Sequence, residues 1–151
     1  MAKQMFKTLS MLMLLAVVAL ATSTVSAQST RRIVGSVPFN FTVGDKDMPA
    51  GTYNIQPTTL GSAILRITGA DNSQSIVRLS NPVRRSNAGK GKLVFHRYDD
   101  RYFLAEIWAT GENEGRKLMP SSREKALKRD QLASNPSRHA YQVIEVMLVG
   151  Q

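Results

Sequence analysis

The sequence contains no cysteine among its 151 residues. No disulfide can therefore stabilise the fold, and no metal site can use a thiolate ligand. A domain of ordinary size can bury a hydrophobic core without such cross-links, and this chain has to do so.

Histidine is also scarce, with His96 and His139 as the only two in the chain. A metal site needs several His, Cys, Asp or Glu side chains that converge. We place His96 on a strand beside a solvated turn, where it is expected to have neither a catalytic nor a metal-binding role. The chain also lacks a G-x-S-x-G nucleophile elbow, and the Gly-Lys-Gly-Lys run at 89–92 lacks P-loop spacing. We therefore predict a non-catalytic protein with no catalytic residue, no cofactor and no metal.

The first 27 residues have the three parts of a secretory signal peptide. A basic start with two lysines precedes an almost entirely apolar run over 9–21, and residues 25–27 read Val-Ser-Ala. The alternative, a transmembrane anchor, needs about 20 apolar residues, and this run is shorter. We predict export to the periplasm or the exterior, with cleavage between Ala27 and Gln28. No cysteine follows that site, which excludes a lipid anchor.

Residues 28–151 make a single domain of 124 residues. Acidic residues are scarce, with 11 against 20 basic ones, and loss of Lys3 and Lys7 with the signal peptide leaves 18 basic residues and a net charge of +7. Such a charge favours anionic surfaces or polymers as partners. We do not expect the protein to bind nucleic acid, because export separates it from the nucleic acid of the cytosol. In addition, most of its aromatic residues fall on strands that look buried.

Short segments with alternating apolar and polar residues indicate a β-rich domain. We expect a mainly antiparallel all-β fold, a β-sandwich or small barrel, with one surface helix late in the chain. Strands of an outer-membrane barrel need about 9–11 residues, and several of these are too short. The predicted strands cover residues 33–43, 52–56, 62–68, 74–80, 92–98, 101–108 and 139–149.

The strongest hairpin candidate joins the segments 92–98 and 101–108 through an Asp-Asp turn. A two-residue turn would pair Phe95 with Leu104 and leave both faces apolar, which predicts a central position with cover on each side. Phe95 and Trp108 would then share one face in the core. That face carries Leu93, Phe95, Tyr102, Leu104 and Trp108, and the other carries Val94, Phe103, Ala105 and Ile107.

Pro120 and Ser121 open the one convincing helix of the domain. Ser121 and Glu124 have the spacing of a capping box, in which each side chain bonds a backbone amide near the helix start. The helix should continue over residues 123–133, and its thin apolar stripe predicts a surface position.

Three stretches carry a resemblance to a known family. They read VPFNFTVG at 37–44, MPAGTY at 48–53 and RYFLAEIW at 101–108. The chain resembles a family of small secreted β-rich bacterial proteins of acidobacterial type, with a VPFxFxVG…PAGxY motif and no known activity. The similarity covers most of residues 28–151. It implies export and β-structure, and it implies no activity, cofactor or catalytic residue.

Two groups of cations are candidates for an anion-binding surface. If the fold brings them to one side, their fields add and attract anions such as phosphorylated lipid or acidic polysaccharide of an envelope. The alternative is that both groups are ordinary solvated surface. The groups are Arg84, Arg85, Lys90 and Lys92 in or beside a long loop, and Arg123, Lys125, Lys128 and Arg129 on the late helix.

Two classes of function remain open. The prediction is an exported, non-catalytic binding or structural module associated with the envelope. The alternative is a secreted or periplasmic enzyme whose active site the sequence does not display. A deep pocket with convergent polar groups would favour the enzyme, whereas a filled core with shallow grooves would favour the module.

Overall fold

The computed structural model of the protein describes residues 32–59, 61–134 and 139–148. Of these residues, 54% lie in strands, which form an open mixed sheet, and one helix follows late in the chain. The predicted mainly β fold with a late helix is therefore confirmed at this level. The predicted signal peptide and its cleavage site lie outside the described residues.

The described strands are short, and all of them but β10 precede the helix. In chain order the elements are β1 (Ile33–Val37), β2 (Phe41–Val43), β3 (Lys46–Met48), β4 (Gly51–Pro57), β5 (Ile64–Gly69), β6 (Ser75–Arg84), β7 (Lys92–Tyr98), β8 (Arg101–Trp108), β9 (Glu114–Leu118), α1 (Ser122–Ser134) and β10 (Gln142–Met147).

The sheet branches at β8. Its main path runs β1-β4-β5-β6-β9-β8-β2-β3, while β7 pairs with the other edge of β8 and β10 pairs with β7. On one edge, β8 pairs with β9 through residues 106–108 and with β2 through Phe103. The pairing of Phe103 with Thr42 is parallel, which makes an otherwise antiparallel sheet mixed.

The core lies against one face of the sheet, because side chains of a strand alternate between its two faces. Phe95 stands at its centre, fully buried, with the rings of Phe39 and Phe41 at 5.2 and 5.4 Å in edge-to-face contact. Complete burial of such a side chain contributes about 1.5–3 kcal/mol relative to exposure. The core cluster consists of Val37, Phe41, Val43, Met48, Tyr53, Ile55, Leu65, Ile67, Leu93, Phe95, Leu104, Ile107 and Leu118.

The pairing of β7 with β8 confirms the predicted hairpin. Phe95 pairs with Leu104 and Tyr98 with Arg101, so the turn contains two residues, as predicted. The first of them, Asp99, has φ +50°, in the left-handed region that a primed hairpin turn requires.

A β-bulge in β8 changes which of its side chains face the core. The register shifts beside Phe95 and leaves Ala105 without a partner on β7. One extra residue reverses the side to which all later residues point. Ile107 therefore lies in the core cluster, and Trp108 lies on the opposite, outer face, although it is only 5% exposed. The prediction that Phe95 and Trp108 share one face is wrong, while the burial of both is confirmed.

Helix α1 contacts the outer side of β7 near the end where the hairpin turns. The amide of Glu124 donates to the Ser121 hydroxyl at 3.1 Å, which confirms one half of the predicted capping box. The carboxylate of Glu124 instead bonds His96 on β7. Glu124 is the one buried residue of the helix, in keeping with the predicted surface position. Among the described residues, no helix is both long and apolar enough to cross a bilayer.

Candidate functional site

Two of the four loop cations are held in ion pairs. Arg84 pairs with Glu114 across β6 and β9 at 3.3 Å. Lys92 pairs with Glu145 across β7 and β10. Each pair cancels a positive charge locally, which weakens the field of the loop group. Lys90 is exposed.

The third loop cation, Arg85, serves the structure of the outer face. Its Nη2 donates to the Glu112 carbonyl at 2.8 Å, and its guanidinium lies 4.9 Å from the ring centroid of Trp108. A cation over an indole ring is attracted by the ring quadrupole. Arg85 therefore covers Trp108 and binds backbone, rather than projecting into solvent as a free charge.

The helix cations differ in this respect. Arg123 binds Asp47 at 3.0 Å and ties the start of α1 to β3. Lys125, Lys128 and Arg129 are exposed, and no ion pair joins them to a carboxylate within the described residues. Their spacing of three and four residues places them on neighbouring positions of one helix side. We call these three residues the basic stripe.

A shallow depression of about 420 Å³ lies along the basic stripe, lined by its three residues and Ser122.

The contact of Arg123 with β3 has an electrostatic signature. The hydrogen bond from the Thr42 hydroxyl, followed by the Arg123 guanidinium, holds the pKa of Asp47 below its ordinary value. Thr42 and Arg123 therefore both favour the charged form of Asp47, and this charged form binds Arg123 at the start of α1.

The fold does not bring the loop cations next to the helix cations. Arg85 and Lys92 lie at one end of the outer face, beside Trp108, and α1 covers His96 near the other end. Lys92 and His96 are four residue steps apart along β7, a distance of about 13 Å. Because Arg84 and Lys92 are paired and Arg85 is engaged with Trp108, two parts of the eight-residue surface remain unpaired among the described residues. They are Lys90, which stands alone on its loop, and the basic stripe, in which three cations lie together.

A groove of about 1010 Å³ runs between α1, the β7–β8 turn and the start of β10. Its walls include Lys128 and Leu132 from the helix and Tyr141 from the segment before β10. Gln131 donates to a carboxylate oxygen of Asp99 at 2.8 Å and so links the helix to the hairpin turn. Lys128 borders both the groove and the depression, which makes the two surfaces continuous.

A partly buried polar cluster lies behind this groove. His96 Nδ1 is 2.9 Å from Glu124 Oε1, and the His96 ring stacks on Tyr141 with centroids 3.9 Å apart. The Tyr98 hydroxyl donates to the same Glu124 oxygen at 3.5 Å. Burial, and then the negative charge of Glu124, raise the pKa of Tyr98 well above its ordinary value.

The cluster corrects the expected surroundings of His96. Its side chain is 13% exposed and packs under α1, rather than beside a solvated turn. Glu124 entered the sequence analysis only as a capping residue, and Tyr141 only as a strand residue. No sequence signal links them to His96, because Glu124 is 28 residues away and the contact depends on where the helix packs. Among the described residues, no three His, Cys, Asp or Glu side chains are grouped to hold a metal.

Comparison with known proteins adds no relative: no family model, no curated protein and no solved structure matches the chain.

Proposed function

We propose that the protein is an exported, non-catalytic module that binds anionic groups at the surface of the bacterial envelope through the basic stripe of α1. The observation that carries this proposal is that Lys125, Lys128 and Arg129 stand exposed, side by side and without an acidic partner in the described chain. Unpaired charges on one side of a rigid element attract opposite charges over the Debye length, about 10 Å at 0.1 M salt.

The way α1 is attached supports this role. Arg123 binds Asp47 at the start of the helix, and Glu124 binds His96 on the side turned to the sheet. These contacts hold the side of the helix that is turned to the sheet and leave the basic stripe outward. The helix is thereby held as a fixed platform, so that binding an anion does not first have to order it.

Export is part of the same proposal. It is supported by the basic start, the apolar run over 9–21 and the small residues at 25–27. The resemblance to small secreted acidobacterial-type proteins supports it as well. The net charge of +7 after cleavage suits an envelope, whose phosphorylated lipids and acidic polysaccharides are anionic. The protein would act in the periplasm or outside the cell.

The proposal extends to the finer architecture, a small barrel rather than a sandwich. A Cβ on Gly35 of β1 would lie 2.9 Å from side-chain atoms of both Leu93 on β7 and Leu148 beyond β10. Strands β1 and β10 are far apart along the pairing order, so this close approach supports a sheet that curls back on itself. Gly35 permits the approach because it has no side chain.

Co-sedimentation with vesicles tests the function. Mature protein should bind vesicles of mixed phosphatidylglycerol and phosphatidylcholine at low salt, bind phosphatidylcholine alone only weakly, and lose much of its binding as salt rises. The K125Q/K128Q/R129Q variant should lose the salt-sensitive binding. A matched control, R84Q/K90Q/K92Q, removes the same number of charges and should keep most of it.

Three outcomes would contradict the proposal. Equal loss in both triple variants would show that net charge, rather than α1, controls binding. Equal retention on neutral and anionic vesicles would remove the electrostatic basis. Absence of binding to both would refute the lipid form of the proposal, and direct binding of the protein to a soluble acidic polysaccharide would then test the other anionic component of an envelope.

A second candidate is a secreted or periplasmic enzyme. The observation that favours it is the His96–Glu124 pair beside a groove of about 1010 Å³, since a carboxylate that orients a histidine is a common part of acid–base sites. It ranks second because Tyr141 covers one face of the His96 ring, and because the ring is only 13% exposed and does not line the groove. A hydrolytic activity of purified protein that H96Q abolishes without lowering the melting temperature would reverse the ranking.

A further inference from the structure

Four large apolar side chains project from the outer side of β5, β6 and the end of β9. Ile64, Val77, Leu79 and Met119 are 41%, 49%, 55% and 45% exposed. Ile64 and Leu79 are direct cross-strand partners, and Val77 lies two residues from Leu79 on the same face. We call these four residues the apolar patch.

Met119 joins the patch through Asn81. The Asn81 side-chain amide lies 3.3 Å from the Met119 sulfur, and Asn81 shares the outward side of β6 with Leu79. Residues that alternate with these, such as Ile76 and Ser80, point inward, where Ser80 is buried and bonds the Ala63 carbonyl. The inward contacts fix the register of β6, so the strand cannot shift to bury its apolar outward side chains.

Cations, and no carboxylates, accompany the apolar patch on β5 and β6. Arg66 stands directly opposite Val77 and is exposed. Lys117 on β9 stands directly opposite Asn81 and is also exposed, and Glu106 on β8 pairs with it at 3.7 Å. Lys46 reaches the Ser75 carbonyl at 3.1 Å, beyond the Val77 end of the patch. The outward positions of β5 and β6 from residue 64 to residue 81 are Ile64, Arg66, Thr68, Ser75, Val77, Leu79 and Asn81.

We infer that the apolar patch and its flanking cations form a membrane-contact surface that seats on an anionic bilayer. Exposed apolar groups gain by entering the boundary between lipid headgroups and acyl chains, and cations beside them meet the negative headgroups. A second copy of the chain fits less well. Packing two such faces together would enclose Arg66 of each copy in a contact to which β5 and β6 supply no carboxylate, which is unfavourable.

The patch lies next to the start of α1. Met119 is two residues before the helix-capping Ser121, so the chain passes directly from the patch into the helix that carries the basic stripe. This inference rests on the proposed function, because it assumes the same target, an anionic envelope surface. It adds an apolar contact to the electrostatic contact of the basic stripe. Binding measured at high salt isolates the apolar contribution, because salt screens only the electrostatic one.

A site-specific fluorophore tests the inference directly. Because the chain has no cysteine, L79C can be labelled at one position with an environment-sensitive nitrobenzoxadiazole dye. The matched control is M147C, since Met147 is 50% exposed at the end of β10 opposite Lys92, away from both the patch and the groove. On phosphatidylglycerol–phosphatidylcholine vesicles, the dye at position 79 should shift to the blue and brighten, and the dye at position 147 should change little.

Two fluorescence results would overturn the inference. Equal responses at positions 79 and 147, or none at 79 while the protein sediments with vesicles, would show that the patch does not enter the membrane. A blue shift at position 79 that grows with protein concentration in the absence of vesicles would show that the patch binds a second copy.

Substitutions separate this inference from the proposed function. V77S/L79S should weaken the binding that persists at high salt by about tenfold and leave the low-salt component of the basic stripe. The control V143S/M147S changes two equally exposed apolar residues on β10 and should have no effect. If wild-type protein retains no binding at high salt, the apolar contact is refuted while the electrostatic function stands. If binding is insensitive to salt and to K125Q/K128Q/R129Q, the proposed function is refuted.

Discussion

Trp108 is enclosed by three neighbours on the outer face of the sheet. Its indole nitrogen donates to Glu106 at 3.0 Å, and Arg85 lies over the ring. On β9, a Cβ at Gly115 would come within 2.6 Å of the indole ring atoms. Glycine at 115 is therefore what allows the indole ring to lie flat against the neighbouring strand.

Replacement of Trp108 by alanine is expected to lower the free energy of unfolding by about 3–5 kcal/mol, since the change removes a nearly fully buried aromatic side chain. Urea denaturation of wild type and variant measures this difference. G115A should also destabilise, because the new methyl group would displace the ring. A W108A protein within about 1 kcal/mol of wild type would contradict the burial of this side chain.

The buried phenol of Tyr98 is expected to make the free energy of unfolding fall at alkaline pH. Its pKa in the folded state is raised by burial and by Glu124, whereas an unfolded tyrosine ionises near pH 10. Below about pH 10 both states keep the proton and the full contribution is present. Above it the unfolded state binds fewer protons, so the free energy of unfolding falls as pH rises.

Y98F should make this alkaline fall shallower by up to about 1.4 kcal/mol per pH unit, measured by urea denaturation from about pH 9 to 11. The pKa of Tyr53 is also raised, first by burial and then by Asp71, so Y53F should show an effect of the same sign. Identical slopes for Y98F and wild type would show that the Tyr98 phenol is not held neutral by its surroundings.

At the scale of elements, the attachment of α1 depends on polar contacts, because the helix has a thin apolar side. His96 and Glu124 are 13% and 8% exposed, whereas the Lys92–Glu145 pair between β7 and β10 is 24% and 38% exposed. An interaction is stronger where water is excluded, and removal of one buried partner leaves the other unsatisfied.

A double-mutant cycle with H96A and E124A should therefore give a coupling energy within about 0.5–3 kcal/mol, the range for contacting residues in one network. The matched cycle with K92A and E145A should give about 0.2–1 kcal/mol, as exposed pairs do. Amide exchange should show α1 released in E124A while β7 and β8 remain protected. A smaller coupling for the buried pair than for the exposed pair would refute this account of the attachment.

The longer strands and the helix could be predicted from local pattern. The β7–β8 pairing follows from alternation and a two-residue turn, and the start of α1 follows from the spacing of Ser121 and Glu124. One strand was predicted over 33–43, where β1 and β2 are separate, and no strand was predicted at β3 or β9, since three to five residues carry too little periodicity. Nor does a pattern reveal the bulge at Ala105, because both faces of β8 are apolar and either register would bury large side chains.

At the scale of the whole molecule, export predicts a shortened chain. Intact mass and N-terminal sequencing of protein recovered from the periplasm or medium should give a chain that begins at Gln28. Replacement of Ala27 by a bulky residue should slow processing, because the peptidase site requires a small side chain there. A full-length product retained in the membrane would contradict the signal-peptide interpretation.

The distribution of charge is a property of the folded molecule. Composition alone predicts a basic protein, and both cation groups are visible in the sequence. Strand pairing then brings Glu114 to Arg84 and Glu145 to Lys92, while the basic stripe of α1 remains unpaired among the described residues. The basic residues of the candidate site could therefore be identified from the sequence. Which of them are unpaired could be read only from the structure.

The sequence by itself determined the absence of disulfides, the basic composition, the alternation that forms most strands and the capping of α1, because these depend on residue type and on neighbours a few positions apart. Only the tertiary structure decided the face of Trp108, the contact of His96 with Glu124 and the outward position of Val77 and Leu79. Each of these depends on register and packing between segments distant in the chain, where a shift of one residue exchanges the buried and exposed faces.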